Sequence, residues 1–140
     1  MIDKTLQVKI KATEEFIEYW IKLQDLYKQA LGEKEKSKVN ADVFFSTKDM
    51  VNLKFEAWMD VLRFSTKEKF TKGYCFYEIF SLEDIFTVSD FKKEKIADAW
   101  ENSFIFIYGI LARAKKKKTR LDNINGFFYN LKKIFNRGGK

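Results

Sequence analysis

None of the 140 residues is proline and only six are glycine. Breaks between elements must therefore come from glycine, polar clusters and helix caps. Thr13 followed by Glu14 and Glu15 predicts a helix N-terminus, a hydroxyl cap with anions at the positive end of the dipole. Phe16, Trp20, Leu23, Tyr27 and Ala30 then recur at helical spacing until Gly32 stops the helix. Ahead of it, Leu6, Val8, Ile10 and Ala12 alternate with polar residues, which allows a short strand over 6–10 or an earlier helical start. Glu33 to Asn40 holds nothing to bury and reads as a mobile loop. Ser46 with Asp49 resembles a capping box, with Val51, Phe55, Trp58 and Leu62 on one helical face behind it. Residues 65–88 read two ways. Phe70, Tyr74, Tyr77 and Phe80 could stripe a helix, while 74–80 is also rich in strand formers, which leaves a hairpin near 70–80 open. Ser81 is expected to cap a single turn through Phe86.

The last fifty or so residues carry a clearer pattern. Thr87 or Ser89 caps a long helix with the stripe Ile96, Trp100, Ser103, Ile107, Leu111 and Ala114. Phe104–Leu111 is apolar on every side, so this helix is expected to pass through the centre of the fold. Gly109 within it costs about 1 kcal/mol relative to Ala, which a tightly packed neighbouring helix would explain. After a basic run, a turn over Asp122–Gly126 leads to a last helix striped by Ile124, Phe127, Phe128, Leu131, Ile134 and Phe135. The expected fold class is mainly α: a single compact domain of four to five helices. A core body spans about 1–112, and a basic helix–turn–helix segment about 113–137.

Composition limits the chemistry. With 46% hydrophobic and 17% aromatic residues the chain can build a packed core. There is no His, which removes the commonest general base near neutral pH and the commonest metal ligand. One Cys, Cys75, excludes an intrachain disulfide and any thiolate-rich metal site. The scattered glycines form no phosphate-cradling loop. Acidic clusters at Glu14/Glu15/Glu18, Glu83/Asp84 and Asp98/Glu101 are explained by helix first turns or exposed faces, and Cys75 lacks a His partner. The aromatics Tyr74, Phe76, Tyr77 and Phe80 would suit base stacking on an exposed sheet, but core packing is the more economical reading. No enzyme, no metal and no cofactor is expected. The N-terminus does not read as a secretory signal, and the longest apolar run, Phe104 to Ala112, falls short of the roughly 20 residues that span a bilayer. The expected location is the cytoplasm.

The net charge of +7 is concentrated at one end. Residues 111–140 hold ten Lys/Arg against one acid, Asp122, a net of +9, which leaves −2 for the first 110 residues. Four consecutive lysines cover the whole circumference of a helix and cannot all face inward. Arg113, Lys115, Lys116, Lys117, Lys118, Thr119 and Arg120 on one arm, with Asn123, Asn125, Lys132, Lys133 and Arg137 on the other, are expected to form one surface around the elbow. Such a surface suits a polyanion backbone, with cations releasing counterions and small polar groups fixing register. A solvated helix end that aids solubility is the plainer reading of the same residues. An anionic membrane surface is disfavoured, because the stripe of the last helix looks necessary to the core.

The stretch Ile96–Phe135 resembles the helical C-terminal domain of DnaD-type primosome proteins and of plasmid and phage replication initiators. The residues that carry the likeness are Phe106-Ile107-Tyr108-Gly109-Ile110-Leu111-Ala112-Arg113-Ala114, the lysine run, and Asn123-Ile124-Asn125-Gly126-Phe127-Phe128-Tyr129. Phe106 and Ile110 match the family's aromatic and Ile four positions apart, while Ala114 stands where it has Trp. The resemblance implies a small DNA-replication or DNA-maintenance accessory of a mobile element. The expected partner is nucleic acid, DNA ahead of RNA, and no membrane. A larger replication or effector protein and self-association are left open. The alternative function is a helical protein-interaction subunit or inhibitor docking on a larger nucleic-acid-processing complex.

Overall fold

The computed structural model describes residues 4–32 and 38–138; the side chains of Asn125 and of residues 134–138 stand outside the description. Among the described residues there are five helices and no strand: α1 (Lys4–Leu31), α2 (Lys38–Val61), α3 (Thr66–Lys72), α4 (Tyr74–Phe80) and α5 (Asp90–Gly138). The sequence alternation at 6–10 therefore yields to a helix. Leu6 and Ile10, four apart, are buried on one face, whereas Val8 is 55% exposed. Thr13 is not a cap but an internal residue of α1. Its hydroxyl donates to the Lys9 carbonyl at 2.6 Å, one helical turn back. Gly32 ends α1 as expected, with φ of 55° and its N–H on the Lys28 carbonyl at 3.0 Å.

The second helix begins earlier than its capping-box pattern suggests. Ser46 and Asp49 lie inside α2, and Lys38–Asn40 form its first turn, while the remainder of the expected loop, 33–37, lies outside the described residues. A turn through Arg63, held at a φ of 59°, leads to α3. There Ser65 and Glu68 form a complete capping box. The hairpin alternative near 70–80 also gives way to helix: Phe76 and Ile79, three apart, are buried, and Tyr74 points outward. Ser81 closes α4 and does not open a turn. Asp84 does that work instead, accepting from the Phe86 N–H at 2.8 Å and from the Thr87 hydroxyl. Of the two expected caps for α5, Ser89 is the one used: its Oγ accepts from the Lys92 N–H at 3.2 Å.

The helix α1 packs along α2, and the first half of α5 lies against α1 and α4. Aromatic rings make the centre. Phe16 stacks on Trp58 at 4.6 Å between centroids, and Trp20 meets Phe76 and Trp100, each at 4.9 Å. Two indoles are satisfied by buried hydroxyls: Trp58 Nε1 donates to Thr13 Oγ1 at 2.9 Å and Trp20 Nε1 to Ser103 Oγ at 2.8 Å. The buried Lys48 ties α2 to the segment after α4 by donating to the Leu82 carbonyl. Burial pushes its pKa below the ordinary 10.5.

Three expectations about α5 fail together. The chain does not turn over 122–126; it stays helical through Gly138. Without proline, and with Gly126 costing only about 1 kcal/mol in a helix, nothing local breaks it, and no described residue beyond Ile107 is buried against the body. Within Phe104–Leu111 only Ile107 is fully buried, while Ile105 and Tyr108 are exposed. Gly109 has no tight neighbour either, since an added Cβ would find only Arg113 Nη1, at 3.6 Å.

Candidate nucleic-acid interface

The site is the part of α5 that outruns the core. Among its described residues Ile107 is the last fully buried one, and Phe104, Phe106, Ile110 and Leu111 add partial contact with the core. Beyond them the helix continues for some 27 residues, about 40 Å at 1.5 Å per residue. Arg113, Lys115, Lys116, Lys117, Lys118, Thr119 and Arg120 are all exposed. Successive residues are offset by about 100°, so Lys115–Lys118 project around the whole rod. Each ion pair resolved among the described residues lies in α2 and α3: Lys69 with Glu56 and Asp60, and Lys72 with Glu68. Lys118 shares a cleft with Glu14, Glu15 and Glu18 of α1. These three carboxylates belong to the middle of α1, not to its first turn.

The expected elbow does not form, and with it goes the single surface it would have made. On a continuous helix, Lys115–Lys118 and Lys132–Lys133 are separated by about 22 Å. The structure thus has a proximal cationic stretch, 113–120, and a distal one. Asn123, Lys132 and Lys133 are exposed on the distal stretch; the side chains of Asn125 and Arg137 lie outside the description. Tyr129 is exposed there as well.

Sequence reasoning missed one feature of this element. The stripe of the last helix was expected to be buried, yet Ile124 is 43%, Phe127 63% and Phe128 60% exposed. Helical phase carried the signal. The body-facing stripe Ile96, Trp100, Ser103, Ile107, Leu111, continued at the same spacing, reaches Lys118, Asn125 and Lys132. The distal stripe therefore sits roughly a quarter turn away from the side that meets the core.

Other candidate chemistry is explained by structure. Burial pushes the Cys75 thiol up to about 11, which keeps it protonated and weakly nucleophilic near neutrality. Phe76 is core, and Tyr77 donates to Glu56 Oε1 at 2.9 Å. Among the described residues, no three His, Cys, Asp or Glu side chains converge where a metal ion could be held. No described helix is long and apolar enough to cross a membrane. The chain matches no protein-family model, no curated protein and no solved structure.

Proposed function

We propose that the protein is a non-enzymatic nucleic-acid-binding accessory that grips phosphate through the proximal stretch Arg113–Arg120, in the replication or maintenance of the DNA of a mobile element. The observation that supports this reading is a helix whose cations are exposed around its circumference beyond Ile107, the last fully buried of its described residues. A bare α-helix fits the roughly 12 Å width of a DNA major groove, and phosphate oxygens on either side lie within reach of lysine. Nothing in this stretch offers a bidentate base reader besides Arg113 and Arg120, so affinity is expected to come mainly from the backbone. The DNA assignment and the mobile-element setting rest on the resemblance of 96–135 to DnaD-type domains.

Binding of this kind releases counterions, at about 0.9 per phosphate neutralised on duplex DNA. Replacing Lys115–Lys118 by Gln is therefore expected to flatten the slope of log affinity against log salt by about 3 to 4. Fluorescence anisotropy with labelled duplex, single strand and RNA across a salt series measures it. An unchanged slope and affinity would overturn the proposal.

A further inference from the structure

The distal part of α5 carries a face that the body does not cover. Leu121, Ile124, Phe127, Phe128 and Leu131 fall within a sector roughly 100–120° wide when placed at 3.6 residues per turn. Phe127 and Phe128 lie edge to face at 5.8 Å and are both mostly exposed. The opposite side presents Asn123, Gly126, Asn130 and Lys133, with Lys132 at the boundary and Asp122 the one acid of the segment. The helix is continuous through this region, and its apolar face is centred roughly a quarter turn from the side that packs on the core. The chain's own body therefore does not cover it.

Charge decides which occupant fits. A second copy would bring another +9 segment against the first, at short range and in the same sense. The occupant must accept Phe, Ile and Leu on one side and satisfy Lys132 at the edge of that face, with the cations Lys115–Lys118 and Arg120 just before it. An anionic lipid surface does both. Interfacial helices bury an apolar sector a few ångströms into the headgroup boundary while basic side chains reach back to lipid phosphates. The polybasic run Lys115–Lys118 with Arg120, immediately N-terminal, is the kind of second electrostatic signal that makes such binding stable. We propose that residues 121–133 lie along the surface of an anionic bilayer, with Phe127 and Phe128 inserted and Lys132 at the headgroups. This peripheral contact does not span the bilayer. Its apolar contact uses a different stretch of the rod from the phosphate grip, while the cations at 113–120 add attraction in both cases.

The test is flotation of the full chain with vesicles of phosphatidylcholine alone and of phosphatidylcholine mixed with phosphatidylglycerol. Flotation is expected only with the mixed vesicles. A Phe127→Ser, Phe128→Ser variant changes exposed residues only, and circular dichroism should show its thermal transition unchanged. Its affinity for mixed vesicles is expected to fall at least about tenfold, since two aromatic side chains lose their burial, while its DNA affinity stays that of the parent. Three results would overturn the proposal: no flotation of the parent, equal flotation of the Phe variant, or sedimentation showing a parent dimer that the Phe substitutions dissociate. If Lys115–Lys118→Gln loses DNA and the Phe variant still floats like the parent, the nucleic-acid reading survives and the lipid surface falls.

Discussion

Ser103 shows how much one small polar residue holds in this core. Fully buried at the interface of α5 with α1, it accepts from Trp20 Nε1 and donates to the Trp100 carbonyl at 2.6 Å. Thr13 plays the matching part for Trp58, so both indoles pair with hydroxyls from other helices and set the register of α1 against α2 and α5. Removing one hydroxyl leaves a buried N–H with no acceptor, a loss of about 1–3 kcal/mol. Ser103→Ala is therefore expected to lower unfolding free energy by that amount, although its side chain shrinks by only one oxygen. Urea denaturation measures it, and a change below a few tenths of a kcal/mol would show that the indole finds another acceptor.

At the scale of elements, α5 separates local preference from packing. Gly109 is conformationally costly in a helix, and the space around it is open apart from Arg113 Nη1. Gly109→Ala is expected to stabilise the protein by up to about 1 kcal/mol, seen as a raised thermal midpoint. Destabilisation would mean that a partner approaches that face. The parts of the fold legible in the sequence are those where cap and stripe agree. Gly32 ends α1, Ser89 starts α5, and Ile96, Trp100, Ser103 and Ile107 are buried as their spacing implies. Thr13 and Ser46 have the pattern of caps because a hydroxyl within a helix looks in sequence like a hydroxyl that starts one, and for Thr13 the tertiary partner Trp58 tells the two apart. The polar cluster Asp122-Asn123-Ile124-Asn125-Gly126 has turn composition, but with nothing for a following helix to pack against, the hydrogen-bond ladder simply continues. The cationic residues were legible. Their arrangement was not, since an elbow and a rod have the same sequence pattern and differ only in whether the last stripe finds the core.

The whole molecule consists of a slightly acidic helical body and a strongly basic rod joined by one helix. All residues buried in the core lie at or before Ile107 among those described, so stability belongs to the body and the charge to the rod. Lys118 still lines the α1 cleft, and Leu121 is half-buried, which places the natural boundary just after that residue. A chain ending at Leu121 removes no buried side chain and keeps the proximal cations. Its thermal midpoint is expected to stay within about 4 °C of the full chain, the shift that about 1 kcal/mol produces in a domain of this size. Nucleic-acid affinity is expected to persist at low salt, with a shallower slope for the lost distal cations, whereas flotation with anionic vesicles should disappear. A chain ending at Ala112 removes both stretches and should lose both activities with little change in melting. Calorimetry, anisotropy and flotation on the same three chains read these outcomes separately. If ending the chain at Leu121 unfolds the body, the rod is part of the core after all, and both interfaces would have to be sought elsewhere on the molecule.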